Sequence, residues 1–115
     1  MIVITPCYEG VAKTHTEMVE YAGLSPSQVK AMLDRGEIED AVAAALAIAW
    51  GQVRERGQVY FVSEGVSPEE ARKLGFTPFA SVQEALDAAF EAQGPKASLA
   101  VLTHAPDMLP IIGKP

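Results

Sequence analysis

Cysteine occurs only once in this 115-residue chain, as Cys7, so an internal disulfide is impossible and a reducing compartment fits the sequence. Long apolar runs are also missing: the longest, residues 41–50, is much shorter than the roughly 20 residues that cross a bilayer. The opening MIVITP has no basic segment and too short an apolar run for a signal peptide. We therefore expect a cytoplasmic protein with no membrane partner.

Clusters of basic residues are absent as well. The nine Lys and Arg residues are scattered, no cluster exceeds a pair, and the formal net charge is −6. Because binding to nucleic acid phosphates requires grouped positive charge, we expect no nucleic-acid partner. Hydrophobic residues make up 49% of the chain, which disfavours disorder, and the length is that of one domain, residues 1–115.

Short apolar runs that are rich in β-branched or aromatic residues predict strands. They occupy residues 2–5, 59–63 and 99–103, and their nearly continuous apolarity is typical of strands buried on both faces of a parallel sheet. Residues 77–80 form a weaker candidate, which Pro78 confines to an edge or to a very short strand.

Helices are predicted between these strands. Four segments, residues 14–17, 25–28, 67–70 and 81–84, begin with Ser or Thr and have Glu or Gln three positions later, as in a capping box. A long alanine-rich helix is predicted over residues 38–56. The alternation predicts an α/β, Rossmann-like domain with three layers: a small, mostly parallel sheet of three to four strands flanked by helices. Residues 105–115 contain three prolines and are predicted to form an extended tail.

Ligands in open α/β sheets collect at the carboxyl ends of the strands. The loops that follow the predicted strands are residues 6–10, 64–65, 79–80 and 104–105. We expect a small anionic ligand there, although the first loop matches no phosphate-binding glycine motif. The candidate ligand-binding residues are Cys7, Tyr8, Glu9, Gly10, Ser63, Glu64 and His104.

Each candidate also has a structural interpretation. Cys7 is either a small buried residue at a strand end or a nucleophile paired with His104, and Glu9 is either a turn residue or a catalytic acid. His15 completes a conceivable metal set with Cys7, Glu9 and His104. No CxxC or HxxxH spacing supports that set, so we predict no metal site.

The order of several short motifs resembles the C-terminal domain of the nickel-dependent lactate racemase family. The motifs are an apolar strand followed by C-x-E-G at residues 7–10, A-R-x-L-G-F-x-P at 71–78, S-x-x-E-A-L at 81–86 and a proline-ended tail after residue 99. The resemblance covers about residues 2–110. It implies an isomerase-related domain that normally closes over the active site of a 2-hydroxy-acid racemase or epimerase.

The resemblance also implies what this chain lacks. In that family the nickel pincer nucleotide is held on a lysine, with histidines as metal ligand and acid/base, in an N-terminal domain that nothing here matches. We therefore predict no cofactor in this chain itself. The leading hypothesis is a stand-alone, non-catalytic domain that binds a small anionic ligand or a separate racemase-like catalytic chain. The alternatives are a small enzyme that uses Cys7, Glu9 and His104, and a structural module that self-associates as a dimer.

Overall fold

The computed structural model describes residues 1–11, 13–111 and 113. These described residues contain three strands, five α-helices and one short 3-10 turn. In order they are β1 (Ile2–Ile4), α1 (Met18–Tyr21), α2 (Pro26–Asp34), α3 (Ala41–Arg56), β2 (Tyr60–Val62), α4 (Pro68–Lys73), β3 (Thr77–Pro78), α5 (Val82–Gln93) and the 3-10 turn (Ala105–Asp107).

The strands form a parallel sheet in the order β1-β2-β3. Ile2 lies opposite Tyr60, and Tyr60 lies opposite Thr77, so β2 is the central strand. The predicted small α/β fold is confirmed. Pro78 lies in β3 at the edge of the sheet, where a residue without a backbone N–H is tolerated.

The strand predicted over residues 99–103 is wrong. Those residues form no strand, and Leu99, Val101 and Leu102 are exposed. The segment has the composition of a strand, but a β-strand forms only where its backbone hydrogen-bonds to a neighbouring strand. In the described chain no strand lies beside residues 99–103. The predicted tail thus begins earlier than residue 105, directly after the turn in which the Ala97 amide donates to the Gly94 carbonyl.

Capping explains where most helices begin. Ser25 and Ser67 form complete capping boxes with Gln28 and Glu70, as predicted. Ser81 caps α5 by accepting from the Glu84 amide, but the Glu84 carboxylate accepts from the Ala80 amide instead of completing a box. These side chains satisfy amides that the first helical turn leaves free.

Two helix starts differ from the prediction. The box at residues 14–17 does not cap a helix, because His15 has a φ of +60° and α1 begins only at Met18. The long helix begins at Ala41 and not at Ile38, because the Asp40 carboxylate accepts from the amides of Val42 and Ala43. Both differences arise at one place, since His15 Nδ1 lies 2.7 Å from Asp40 Oδ2.

Successive residues of β2 bury opposite faces of the sheet. Phe61 belongs to the main core, together with Val29 of α2 and the alanines at positions 43, 44 and 47 of α3. Tyr60 lies on the other face, which α5 covers by packing on β1 and β2, and there its ring meets Phe79 at 5.0 Å. The sheet is therefore enclosed by helices on both faces.

Trp50 packs against the main core, and its ring meets Phe76 edge-on with 5.1 Å between ring centroids. Among the described residues, no helix combines the length and apolarity needed to cross a bilayer.

Candidate ligand site at the carboxyl ends of the strands

The loops that follow β1 and β2 are joined backbone to backbone. The Gly65 amide donates to the Pro6 carbonyl at 2.9 Å, and the Ser63 hydroxyl donates to the same carbonyl at 3.3 Å. β1 and β2 are adjacent parallel strands and end at the same edge of the sheet, which is why these two loops meet. The structure therefore brings Ser63 next to the loop that carries Cys7.

Two glycines allow this close approach. A Cβ on Gly65 would overlap the backbone of Pro6 and Cys7, so only glycine fits there. Gly10 has a φ of +75° and closes a turn by donating its amide to the Cys7 carbonyl at 2.8 Å. Cys7 also has a positive φ, +44°, which is uncommon for a residue with a side chain. The first loop is therefore a tight turn held by its neighbour.

The side chains on this turn point to different surroundings. Cys7 is half-buried, packs against the core, and its Sγ lies 3.5 Å from Thr5 Oγ1. Tyr8 is 83% exposed, and Glu9 and Glu64 are exposed as well. The exposed carboxylates place negative charge on this part of the site, which disfavours an anion beside the Cys7 turn.

The structure does not place His104 at a strand end, because residues 99–103 form no strand. His104 is exposed on the tail, and its Nδ1 lies 3.1 Å from Thr103 Oγ1. Among the described residues, no hydrogen bond links His104, Cys7 and Glu9. Their convergence in one catalytic site stays a prediction.

A cleft of about 190 Å³ opens between the ends of β2 and β3 and the helix that connects them. Its volume is below the roughly 300–1,000 Å³ of pockets for drug-sized ligands, so it suits a small molecule. Most of its lining is apolar, and Ser63 and Arg72 supply polar side chains. The lining residues are Phe61, Ser63, Val66, Pro68, Arg72, Pro78, Phe79 and Ala80.

Arg72 differs from the other charged residues of α4. Lys73 Nζ lies 3.0 Å from Glu69 Oε1, and Glu70 accepts from the amide and the hydroxyl of Ser67 in the capping box, which lowers the Glu70 pKa below its usual value. Within the described residues, the Arg72 side chain has no hydrogen bond or salt bridge. A guanidinium with no carboxylate partner, at the edge of a small apolar cleft, is suited to bind a carboxylate or another small anion.

Ser63 supplies a complementary group to the cleft. Its hydroxyl hydrogen is directed to the Pro6 carbonyl, so its oxygen can accept a hydrogen bond from a ligand but has no second hydrogen to donate. The cleft thus pairs a cation with a hydrogen-bond acceptor.

Of the lining residues, the sequence predicted Ser63 and placed the loop at residues 79–80 at the site, but it did not indicate Arg72 or Pro78. The prediction covered the loops that follow the strands and did not include the crossover helix between β2 and β3. Arg72 lies on that helix, and its position between two predicted neighbouring strands was the available signal.

A second hollow of about 300 Å³ lies at the other end of the sheet, near the last turn of α3. Its cation, Arg54, is already engaged: Nη1 donates to the Leu74 carbonyl at 3.4 Å, and Nη2 donates to the Leu24 carbonyl at 3.3 Å. Arg54 therefore joins three segments of the fold, and this hollow is less suited to an anion than the cleft at Arg72.

The described residues do not fit a metal centre. No group of three or more His, Cys, Asp or Glu side chains is arranged to hold a metal ion in residues 1–11, 13–111 and 113. Of the two histidines in the sequence, His15 contacts Asp40 and His104 contacts Thr103.

No protein-family model, curated protein or solved structure matches this chain. The resemblance to the lactate racemase family therefore stays a prediction from the motifs.

Proposed function

We propose that this domain binds a small 2-hydroxy carboxylate in the cleft between β2, β3 and α4, and that it does not catalyse a reaction on its own. The observation that carries the proposal is Arg72, a cation without a protein partner among the described residues, at the rim of a cleft of about 190 Å³. A hydrogen bond to a charged group contributes about 1.5–3 kcal/mol, so loss of the Arg72 guanidinium should weaken binding about tenfold or more.

The proposed orientation follows from the lining. The ligand carboxylate would pair with Arg72, its hydroxyl would donate to Ser63 Oγ, and its short carbon chain would contact Pro78 and Phe79. A 2-hydroxy acid is also the substrate class that the motif resemblance implies, so two separate arguments support the same ligand class.

The absence of catalysis is part of the proposal. In the family that the motifs resemble, the cofactor lysine and the histidines belong to another domain, and no residues here correspond to them. The alternative enzyme built on Cys7, Glu9 and His104 has no comparable support, since no hydrogen bond joins these three in the described chain. We place the binding function in the cytoplasm, because a single cysteine fits a reducing compartment.

The test is a titration of the isotope-labelled protein with lactate, followed by amide chemical shifts. We expect saturable shifts at Ser63, Arg72 and Phe79, and binding about tenfold or more weaker in Arg72→Gln. Lys73→Gln is the matched control, because it removes the neighbouring positive charge from the same helix outside the cleft. Absence of saturable shifts, or equal losses in the two variants, would refute the proposal.

Propionate, which lacks the hydroxyl, tests the role of Ser63. Lactate should bind about 2–10 times more tightly than propionate, and Ser63→Ala should remove that preference. Incubation of the chain with nickel and one lactate enantiomer should give no racemisation. Turnover would show that the domain is an enzyme.

A further inference from the structure

The sheet has two edges that differ in chemistry. The β3 edge contains Pro78, which cannot donate to another strand. The β1 edge, Ile2–Ile4, consists of three β-branched apolar residues with neither proline nor charge, the usual means of protecting an exposed edge. Ile4 is 60% exposed. The β1 edge therefore has the composition of a strand that is paired on both sides.

The backbone of β1 has unused hydrogen-bonding groups on that edge. The Met1 carbonyl accepts from Tyr60 at 2.8 Å, and the Thr5 amide donates to Val62 at 3.1 Å. Because alternate residues of a strand direct their backbone groups to opposite sides, Ile2 and Ile4 present their N–H and C=O groups away from β2. No other strand pairs with them among the described residues.

Residues 99–103 have the complementary properties. Their sequence, LAVLT, has no charge and no proline. Leu99 is 57% exposed and Val101 is 73% exposed, although both are apolar. A strand-like segment without a sheet and a sheet edge without a strand therefore occur in the same molecule.

Topology assigns this segment to the β1 edge. The helices between β1 and β2, which are α1, α2 and α3, pack on the face of the sheet that contains Phe61. Helix α5 packs on the opposite face, against β1 and β2. If the connection from β3 through α5 is a right-handed crossover, the order in which strands are added across the sheet reverses after β3. That crossover delivers the next strand beside β1, which gives the order 3-2-1-4 found in doubly wound folds.

The segment does not pair with its own sheet in the described residues, and a turn precedes it. After α5, Gly94 has a φ of +90°, and the ring of Pro95 restricts the φ of Pro95 itself. The Ala97 amide then closes a turn by donating to the Gly94 carbonyl. The radius of gyration of the chain is 15.8 Å, whereas about 13 Å is expected for a compact domain of this length. Leu99 and Val101 are exposed in this less compact chain, so the segment is accessible to a second molecule.

We propose that residues 99–103 add as a parallel fourth strand to the free β1 edge of a second copy of this chain, and that the second copy returns the same segment. The exchange is reciprocal, so it closes into a two-fold dimer and leaves neither β1 edge open. The surface lies apart from the Arg72 cleft and does not depend on the proposed ligand.

Sedimentation of the full chain tests the proposal, with Val101→Pro as the decisive variant. The wild type should be a dimer, and Val101→Pro should dimerise about a hundredfold or more weakly, because in the proposed pairing Val101 donates its backbone N–H to β1 and proline has no N–H to donate. Val101 is exposed within one copy, so the fold should persist, which circular dichroism checks. If Val101→Pro fails to fold, Val101→Lys is the second variant, and it should also weaken dimerisation. Leu109→Asp, at an 85% exposed tail position outside the segment, should remain dimeric.

Dimers prepared from one isotope-labelled and one unlabelled copy identify the contact. We expect nuclear Overhauser effects between Val101 of one copy and Ile4 of the other. A monomeric wild type would overturn the proposal. This holds both if residues 99–103 are exposed and if they are protected from hydrogen exchange by pairing with β1 of the same copy. A dimer that Val101→Pro leaves intact, or a segment that orders only with a separate catalytic chain, would also overturn it.

Discussion

The backbone of Gly65 lies against the Cys7 carbonyl so closely that a Cβ on Gly65 would overlap it. The contact accompanies the hydrogen bond from the Gly65 amide to the Pro6 carbonyl at 2.9 Å. It fixes the loop after β1 to the loop after β2, and thereby sets the position of Ser63 at the cleft.

Gly65→Ala should destabilise the protein by about 3 kcal/mol, because the overlap is with backbone that cannot rotate away. Gly23→Ala is the control, since a Cβ there meets nothing within 4 Å. Urea unfolding of both variants measures the difference. Equal stabilities would show that the two loops move apart at little cost.

The side chain of Arg54 connects the end of α3 to the carbonyls of Leu24 and Leu74. Arg54→Lys should lower the free energy of unfolding by about 1–2 kcal/mol, because one ammonium group cannot span both carbonyls as a planar guanidinium does. Arg56→Lys, in the same turn of α3 but exposed, should change stability little. Indistinguishable losses in urea unfolding would contradict the role given to Arg54.

Local signals in the sequence predicted much of the fold. Ser25 and Ser67 specify helix starts through contacts within four residues, and the apolar runs at β1 and β2 form strands as expected. Contacts between distant residues were not predictable in this way. His15 and Asp40 are 25 positions apart, and their contact accompanies both of the displaced helix starts.

The same distinction applies to the last predicted strand and to the site. Composition identified residues 99–103 as strand-forming, but whether a strand forms depends on a partner that the sequence pattern does not supply. Ser63 was predictable from its place after β2, whereas Arg72 became a candidate only when its neighbours Glu69 and Glu70 were seen to be engaged elsewhere.

Asp40 gives the protein a pH dependence with a definite sign. Hydrogen bonds from the Ala43 amide and from His15 hold the Asp40 pKa below its usual value, with a smaller contribution from Val42. A carboxylate whose pKa is lower in the folded state stabilises the fold at pH values above its unfolded pKa of about 4. That contribution is lost as the pH falls through the folded pKa.

Asp40→Asn tests this effect, because asparagine keeps the helix cap but removes the charge. The variant should be less stable than the wild type at neutral pH, and the two stability curves should converge at strongly acidic pH. Glu39→Gln is the control for loss of an exposed neighbouring carboxylate. A difference between wild type and Asp40→Asn that stays constant with pH in urea unfolding would exclude an ionised Asp40 as its source.

Among the described residues, Val29 is the largest side chain with almost no exposure, and it connects α2 to the core beneath β2. Val29→Ala should lower the free energy of unfolding by about 2 kcal/mol, since it removes two buried methyl groups and leaves a cavity. Val42→Ala is the matched control: it is the same substitution in a helix, but Val42 is 50% exposed. There the change should be near zero or slightly stabilising, because alanine has the higher helix propensity. Urea unfolding that gives equal effects at the two sites would show that the packing of α2 against the core contributes little to the stability of the domain.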